Sequence, residues 1–203
     1  MARLEAPDRG PEWGSPPQGR SAQPPPRLRQ RDMKPAMRRL KQSWTLGCDA
    51  ERFWRVFLDA EYSRALYLDA FRFKSYRVLS SEATARNLHL APRLNLPGPL
   101  AKLVGDSFAY EQHGTLDRPN SLWTWKMVQP GDVKGKAGLV SSSGTICVTD
   151  AGAGQCTRTD DVTVTAHLFG LGSLLEATVE KELRTSWDTE IAFLQRWLTE
   201  KSA

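Results

Sequence analysis

With 203 residues, 40% of them apolar, the chain can bury one substantial core, and 28 Lys and Arg against 23 Asp and Glu leave a net charge of +5 at neutral pH. No stretch reaches the roughly eighteen apolar residues of a membrane span, and no apolar run follows the early charges as it would in a secretory signal. Three cysteines, Cys48, Cys147 and Cys156, lack CxxC spacing, which excludes a disulfide framework or structural zinc and suits reduced thiols in a cytoplasmic protein.

Residues 1–36 hold eight of the thirteen prolines, with few aliphatics and no periodicity. Such a composition buries too little apolar surface to offset chain entropy and predicts a disordered Pro- and Arg-rich extension ahead of a folded domain at 37–203. The extension carries seven Lys or Arg against four acids, so most of the basic excess lies outside the domain. The cluster from Arg27 to Lys41 can make weak contact with an anionic membrane or nucleic acid through counterion release. The simpler reading is a solvated leader, and Met33 and Met37 are alternative starts to Met1.

In chain order, 40–46 predicts a strand ended by Gly47. Asp49 is placed to cap a short helix whose inner side is Phe53, Val56 and Phe57, and a second short helix is expected over 61–68. Aromatic and β-branched runs then predict strands at 71–79, 84–90, 107–116, 122–128, 139–149 and 157–169. Ser80-Ser81, the segment from Asp117 to Asn120, Pro130-Gly131 and the segment from Asp150 to Gly154 supply the turns. The segment 96–104 interrupts the strands with a candidate short helix. Phe169-Gly170-Leu171-Gly172 leads into a long closing helix reaching Lys201, with Ser173 as cap and Glu176 reaching back in a capping box. Leu175, Val179, Leu183, Trp187, Ile191, Leu194 and Leu198 recur on one face of it.

An apolar stripe of that length needs a sheet to cover, and strands joined by short turns prefer antiparallel neighbours. The expected fold is therefore α+β: a curved antiparallel seven-stranded sheet wrapped around a long C-terminal helix, with two short helices after strand 1 and a cavity between sheet and helix. This order, the helix pair and Phe169-Gly170-Leu171-Gly172-Ser173-Leu174-Leu175-Glu176 resemble the START-like (SRPBCC, helix-grip) superfamily. Within it the chain most resembles an uncharacterised bacterial family of START-like domains. The resemblance covers roughly residues 37 to 200 and implies a hydrophobic ligand in the central cavity.

Alternation places Phe108 with Tyr110, Trp123 with Trp125, and Val164 with Val162 on shared strand faces. With Leu175, Val179, Leu183 and Trp187 of the helix they are candidates to line the cavity. His113 and His167 join them as polar groups able to orient a ligand, whereas Arg77 and Glu111 read as outward, solvated side chains. His113 and Tyr110, three apart, face opposite ways on a regular strand. If Trp123 and Trp125 face outward instead, they offer an exposed aromatic pair to a membrane or a partner.

Catalytic motifs are absent from the sequence. It contains no HExxH or GxSxG, and neither glycine pair has the spacing of a phosphate loop, so neither a metal nor a cofactor is expected. Three readings stay open: transport or sensing of a lipid, sterol-like or aromatic polyketide molecule; cyclase, aromatase or hydrolase chemistry with a cavity His or Tyr as acid–base group; and a filled core acting through its surface.

Overall fold

A computed structural model describes residues 36–94, 98, 101–102, 108–129, 140–166 and 172–201, with the side chains of 36, 166 and 172–176 excepted. The expectations for the N-terminal extension, and most of those for 96–104, lie outside the described residues. So do His167 and the side chains of Leu175, Ser173 and Glu176.

Strand β1 (Ala36–Leu46) leads into α1 (Ala50–Leu58) and α2 (Ala60–Ala65), which runs on as a π-helical turn at Leu66–Ala70. Strands β2 (Ser75–Ser81), β3 (Ala85–Ala91), β4 (Tyr110–Asp117), β5 (Leu122–Val128), β6 (Val140–Gly152) and β7 (Gln155–Ala166) precede the closing helix α3 (Gly172–Glu200). All pairings are antiparallel, in the order β1-β7-β6-β5-β4-β3-β2. The last six strands form a meander, and β1 adds to its far edge by pairing with β7 from Ala36↔Ala166 to Leu46↔Cys156. The curved sheet carries α3 across its concave side, the helix-grip arrangement the resemblance implies.

Local chemistry sets the helix pair. The Asp49 carboxylate accepts from the Arg52 amide at 2.7 Å, capping α1. Asp59 does the same for α2 through the Tyr62 amide, also at 2.7 Å. One residue thus ends the first helix and starts the second, satisfying amides that would otherwise lack acceptors. The expected helix over 61–68 differs at its end: the Phe71 amide donates to the Leu66 carbonyl at 2.9 Å, five residues back, and the widened turn persists to Ala70.

Strand boundaries also differ: β1 begins at Ala36 rather than 40, β7 at Gln155 rather than 157, and Ser80-Ser81, expected as a turn, ends β2. Residues 71–74 read as strand by composition but form the exit of the π turn, where Phe71 and Phe73 pack on Tyr67 at 5.7 and 5.4 Å between ring centres. Strand β6 runs beyond 149 to Gly152, which faces Gln155 across a two-residue turn. Ala153 and Gly154 both take positive φ there, 51° and 72°, the primed geometry that matches strand twist.

The main core lies under the C-terminal half of α3, where Ile191, Phe193, Leu194 and Leu198 pack on Phe53, Trp54, Phe57, Tyr62, Trp123 and Val148. A smaller cluster of Leu40, Val162, Val164 and Trp187 joins the middle of α3 to β1 and β7.

Candidate functional site

Toward its N-terminal half, α3 stands away from the sheet over a cavity of about 530 Å³, within the range of small-molecule sites. Its walls come from strand parity. Tyr110 and Gln112 of β4, Trp123, Trp125 and Met127 of β5, and Val162 and Val164 of β7 all point inward, facing Val179, Leu183 and Trp187 of α3. The π turn adds Leu66, Tyr67 and Ala70, and Phe108 lies just before β4.

The two tryptophans of β5 are accommodated by glycines. A Cβ at Gly114 would lie 1.9 Å from Cζ2 of Trp123, and one at Gly144 would lie 3.1 Å from Cε2 of Trp125. Each indole therefore lies over a strand position that has no side chain. This pair faces the cavity, not solvent.

Of the residues expected from sequence, Phe108, Tyr110, Trp123, Trp125, Val164, Val179, Leu183 and Trp187 come together in this wall. His113 does not. It shares the outer face of β4 with Glu111, to which its Nε2 is hydrogen bonded at 2.8 Å, and it is one-third exposed. Strand alternation separates it from Tyr110, so it is no part of the cavity. Arg77 and Glu111 likewise stand outside the lining.

The charged groups that line it were missed by the sequence reading. Arg158 and Asp160 of β7 and Glu190 of α3 form a buried ion cluster. Arg158 Nε and Nη2 donate side-on to both Asp160 oxygens at 2.7 and 2.8 Å, and Nη1 donates to Glu190 at 2.6 Å. Burial works against the Arg158 charge, but the two carboxylates hold its pKa well above the ordinary value. Burial raises the Asp160 carboxyl despite Arg158, and a hydrogen bond from Trp187 further supports its ionised form. Arg86 of β3, 6% exposed, donates from Nη1 to the Phe57 carbonyl at 2.8 Å and to the Ser63 hydroxyl at 3.2 Å. Its guanidinium carbon lies 5.0 Å from the centre of the Phe57 ring and 5.8 Å from that of Trp123.

Three phenols complete the lining. Tyr67 donates to Gln112 at 3.1 Å. Burial pushes Tyr62, Tyr67 and Tyr110 all well above the usual phenol range. They are proton donors at neutral pH. No group of three or more His, Cys, Asp or Glu among the described residues is placed to hold a metal, and none of the described helices is long and apolar enough to cross a membrane.

A curved seven-stranded sheet gripping a long C-terminal helix over a lined cavity is the helix-grip fold. Residues 41–198 match the profile of a family described as proteins of unknown function, DUF2505, and the chain belongs to that family. Among solved structures it is similar to the Zhui aromatase/cyclase from Streptomyces sp. R1128, at 15% identity and a TM-score of 0.60, covering 80% of this chain and 96% of that one. A protein of Thermus thermophilus is similar at 14% identity and a TM-score of 0.60, covering 82% of this chain and 100% of the other. Norcoclaurine synthase from Thalictrum flavum, solved in complex with dopamine and hydroxybenzaldehyde, is similar at 14% identity and a TM-score of 0.57, covering 82% and 88%. No curated protein sequence matches the chain.

Proposed function

We propose that the protein binds a hydrophobic small molecule of the lipid, sterol-like or aromatic polyketide class between the sheet and α3, for transport or sensing. The observation that carries this reading is the pair Trp123 and Trp125, turned into a cavity of about 530 Å³ and seated over Gly114 and Gly144. A core built only for stability closes such space, because each unfilled methyl-sized gap costs about 1 kcal/mol. The partly exposed Trp125 beside Phe108, Tyr110 and Leu183 offers stacking and apolar contact to a planar or elongated guest. The structural neighbours named for aromatase/cyclase activity, or solved with dopamine and hydroxybenzaldehyde, support a small-molecule role for the fold.

Acid–base catalysis has less support. Of the groups the sequence offered for it, His113 faces away from the cavity, and Tyr62, Tyr67 and Tyr110, held protonated, can donate a proton but do not accept one near neutral pH. The test is a thermal and tryptophan-fluorescence titration of the full chain with a fatty alcohol, a sterol and a hydroxynaphthalene. A binder raises Tm with concentration and changes the indole emission, and Leu183→Trp, which fills the cavity, abolishes both effects. A folded wild-type chain indifferent to all three would return the protein to the surface-acting reading.

A further inference from the structure

Among the buried cations of the cavity, Arg158 and Arg86 differ in one respect. Arg158 has its Nε–Nη2 edge closed by Asp160 and its Nη1 by Glu190. On the protein surface Arg39 holds Asp161 in the same way, with Nε and Nη2 donating to the two oxygens at 2.7 and 2.6 Å. Arg86 is also buried, yet its hydrogen bonds to the Phe57 carbonyl and the Ser63 hydroxyl both leave from Nη1 and go to neutral oxygens. No carboxylate among the described residues lies within ion-pair distance of it, and its buried Nε has no acceptor there. The Tyr62 hydroxyl, one residue from Ser63 and also lining the cavity, is likewise buried without a partner among the described residues.

A buried guanidinium with a donor left unmatched is costly, and stacking on Phe57 and Trp123 offsets only part of that cost. Arg158 and Arg39 show what this edge takes when it is matched: a planar carboxylate accepting two parallel hydrogen bonds. Asp160 and Glu190 are committed to Arg158, so the described residues supply no such group to Arg86.

We propose that the ligand is amphipathic and ends in a carboxylate, which Arg86 receives through its Nε–Nη2 edge with the Tyr62 hydroxyl as an added donor, while the apolar body lies along Trp123, Trp125 and Leu183. This rests on the cavity-binding reading and narrows its ligand class to hydrophobic acids.

The probes are 1-pyrenebutanoic acid and its methyl ester, followed by energy transfer from the cavity tryptophans in the full-length protein. Wild type is expected to bind the acid about tenfold to a hundredfold more tightly than the ester, the span of a charge-assisted hydrogen-bond pair. Arg86→Gln is expected to weaken acid binding far more than ester binding, so that the preference is lost, and Arg86→Lys restores part of it. The wild-type comparison stands alone if the Gln variant fails to fold. Equal affinity for acid and ester in wild type, or an acid preference that survives in a folded Arg86→Gln, would overturn the carboxylate assignment while leaving the cavity reading intact. Failure of both probes to bind would count against the cavity reading itself, and the carboxylate assignment would fall with it.

Discussion

The indole of Trp123 lies across the backbone of Gly114 on the adjacent strand, so closely that a methyl group there would sit 1.9 Å from its Cζ2. Trp123 is 2% exposed and also meets Phe57 in an edge contact, at 5.4 Å between ring centres. The ring has no room to retreat. Gly114→Ala should therefore destabilise the fold by about 3 kcal/mol, the overpacking cost of a rigid aromatic. Gly144→Ala, whose Cβ would meet the Asp161 carbonyl at 2.8 Å and Trp125 at 3.1 Å, should cost less, about 1–2 kcal/mol. Urea denaturation of the two variants checks the order.

The Arg158, Asp160 and Glu190 cluster ties β7 to α3. Removing one member leaves the others charged and unmatched in a buried setting, so Arg158→Ala should lose about 3–5 kcal/mol of stability. Arg158→Met combined with Asp160→Leu and Glu190→Leu should recover most of that loss, because no buried charge is left. A thermal melt in which the triple variant is no better than the single one would assign the loss to packing instead.

In the turn between β6 and β7, Ala153 holds φ at 51°, a left-handed conformation that costs an L-residue with a Cβ about 1 kcal/mol. Ala153→Gly and Ala153→Asn should each raise stability, by roughly 0.5–1 kcal/mol, with Asn-Gly the favoured pair for this turn. Neither should alter ligand binding, since the turn lies outside the cavity lining.

Alkaline stability follows from the buried acids of high pKa. Burial first, then the neighbouring Cys48, pushes the Cys156 thiol up to about 12, and Tyr62, Tyr67 and Tyr110 are raised in the same sense. The folded state keeps these protons after the unfolded chain has lost them. Stability is thus fully present below the unfolded value of each group and declines above it. The slope should be about 1.4 kcal/mol per pH unit for Cys156 from about pH 9 and steeper once unfolded tyrosines ionise above about pH 10. Cys156→Ala should remove the earlier part of that decline in denaturation curves taken from pH 8 to 11.

Much of this fold is written in local patterns. The Asp49 cap, the alternation of β5 and the three- and four-residue steps of α3 each depend on neighbours close in sequence, so helices, strands and their faces can be read directly. What escaped was polarity inside the cavity. Arg86 shares parity with Leu88 and Leu90, and Arg158 and Asp160 share it with Val162 and Val164. Extending each inward face two or four residues upstream exposes them. They were passed over because charged residues are seldom buried, and nothing local announces that Glu190, 32 residues from Arg158, completes the cluster. The histidine candidate failed for the converse reason: His113 has suitable chemistry, but strand parity puts it outside. The π turn after α2 also left no composition signal, since it arises where Tyr67 packs among Phe71, Phe73 and Tyr76.

Native and denaturing mass spectrometry of the full chain, purified without detergent from cells, tests the central claim most directly. The cavity reading predicts a reproducible apolar adduct in the native spectrum that is lost on denaturation and recovered in the organic extract. A clean apo mass, with an extract that holds no stoichiometric compound and with purified protein that takes up none from a cell lipid extract, would contradict it.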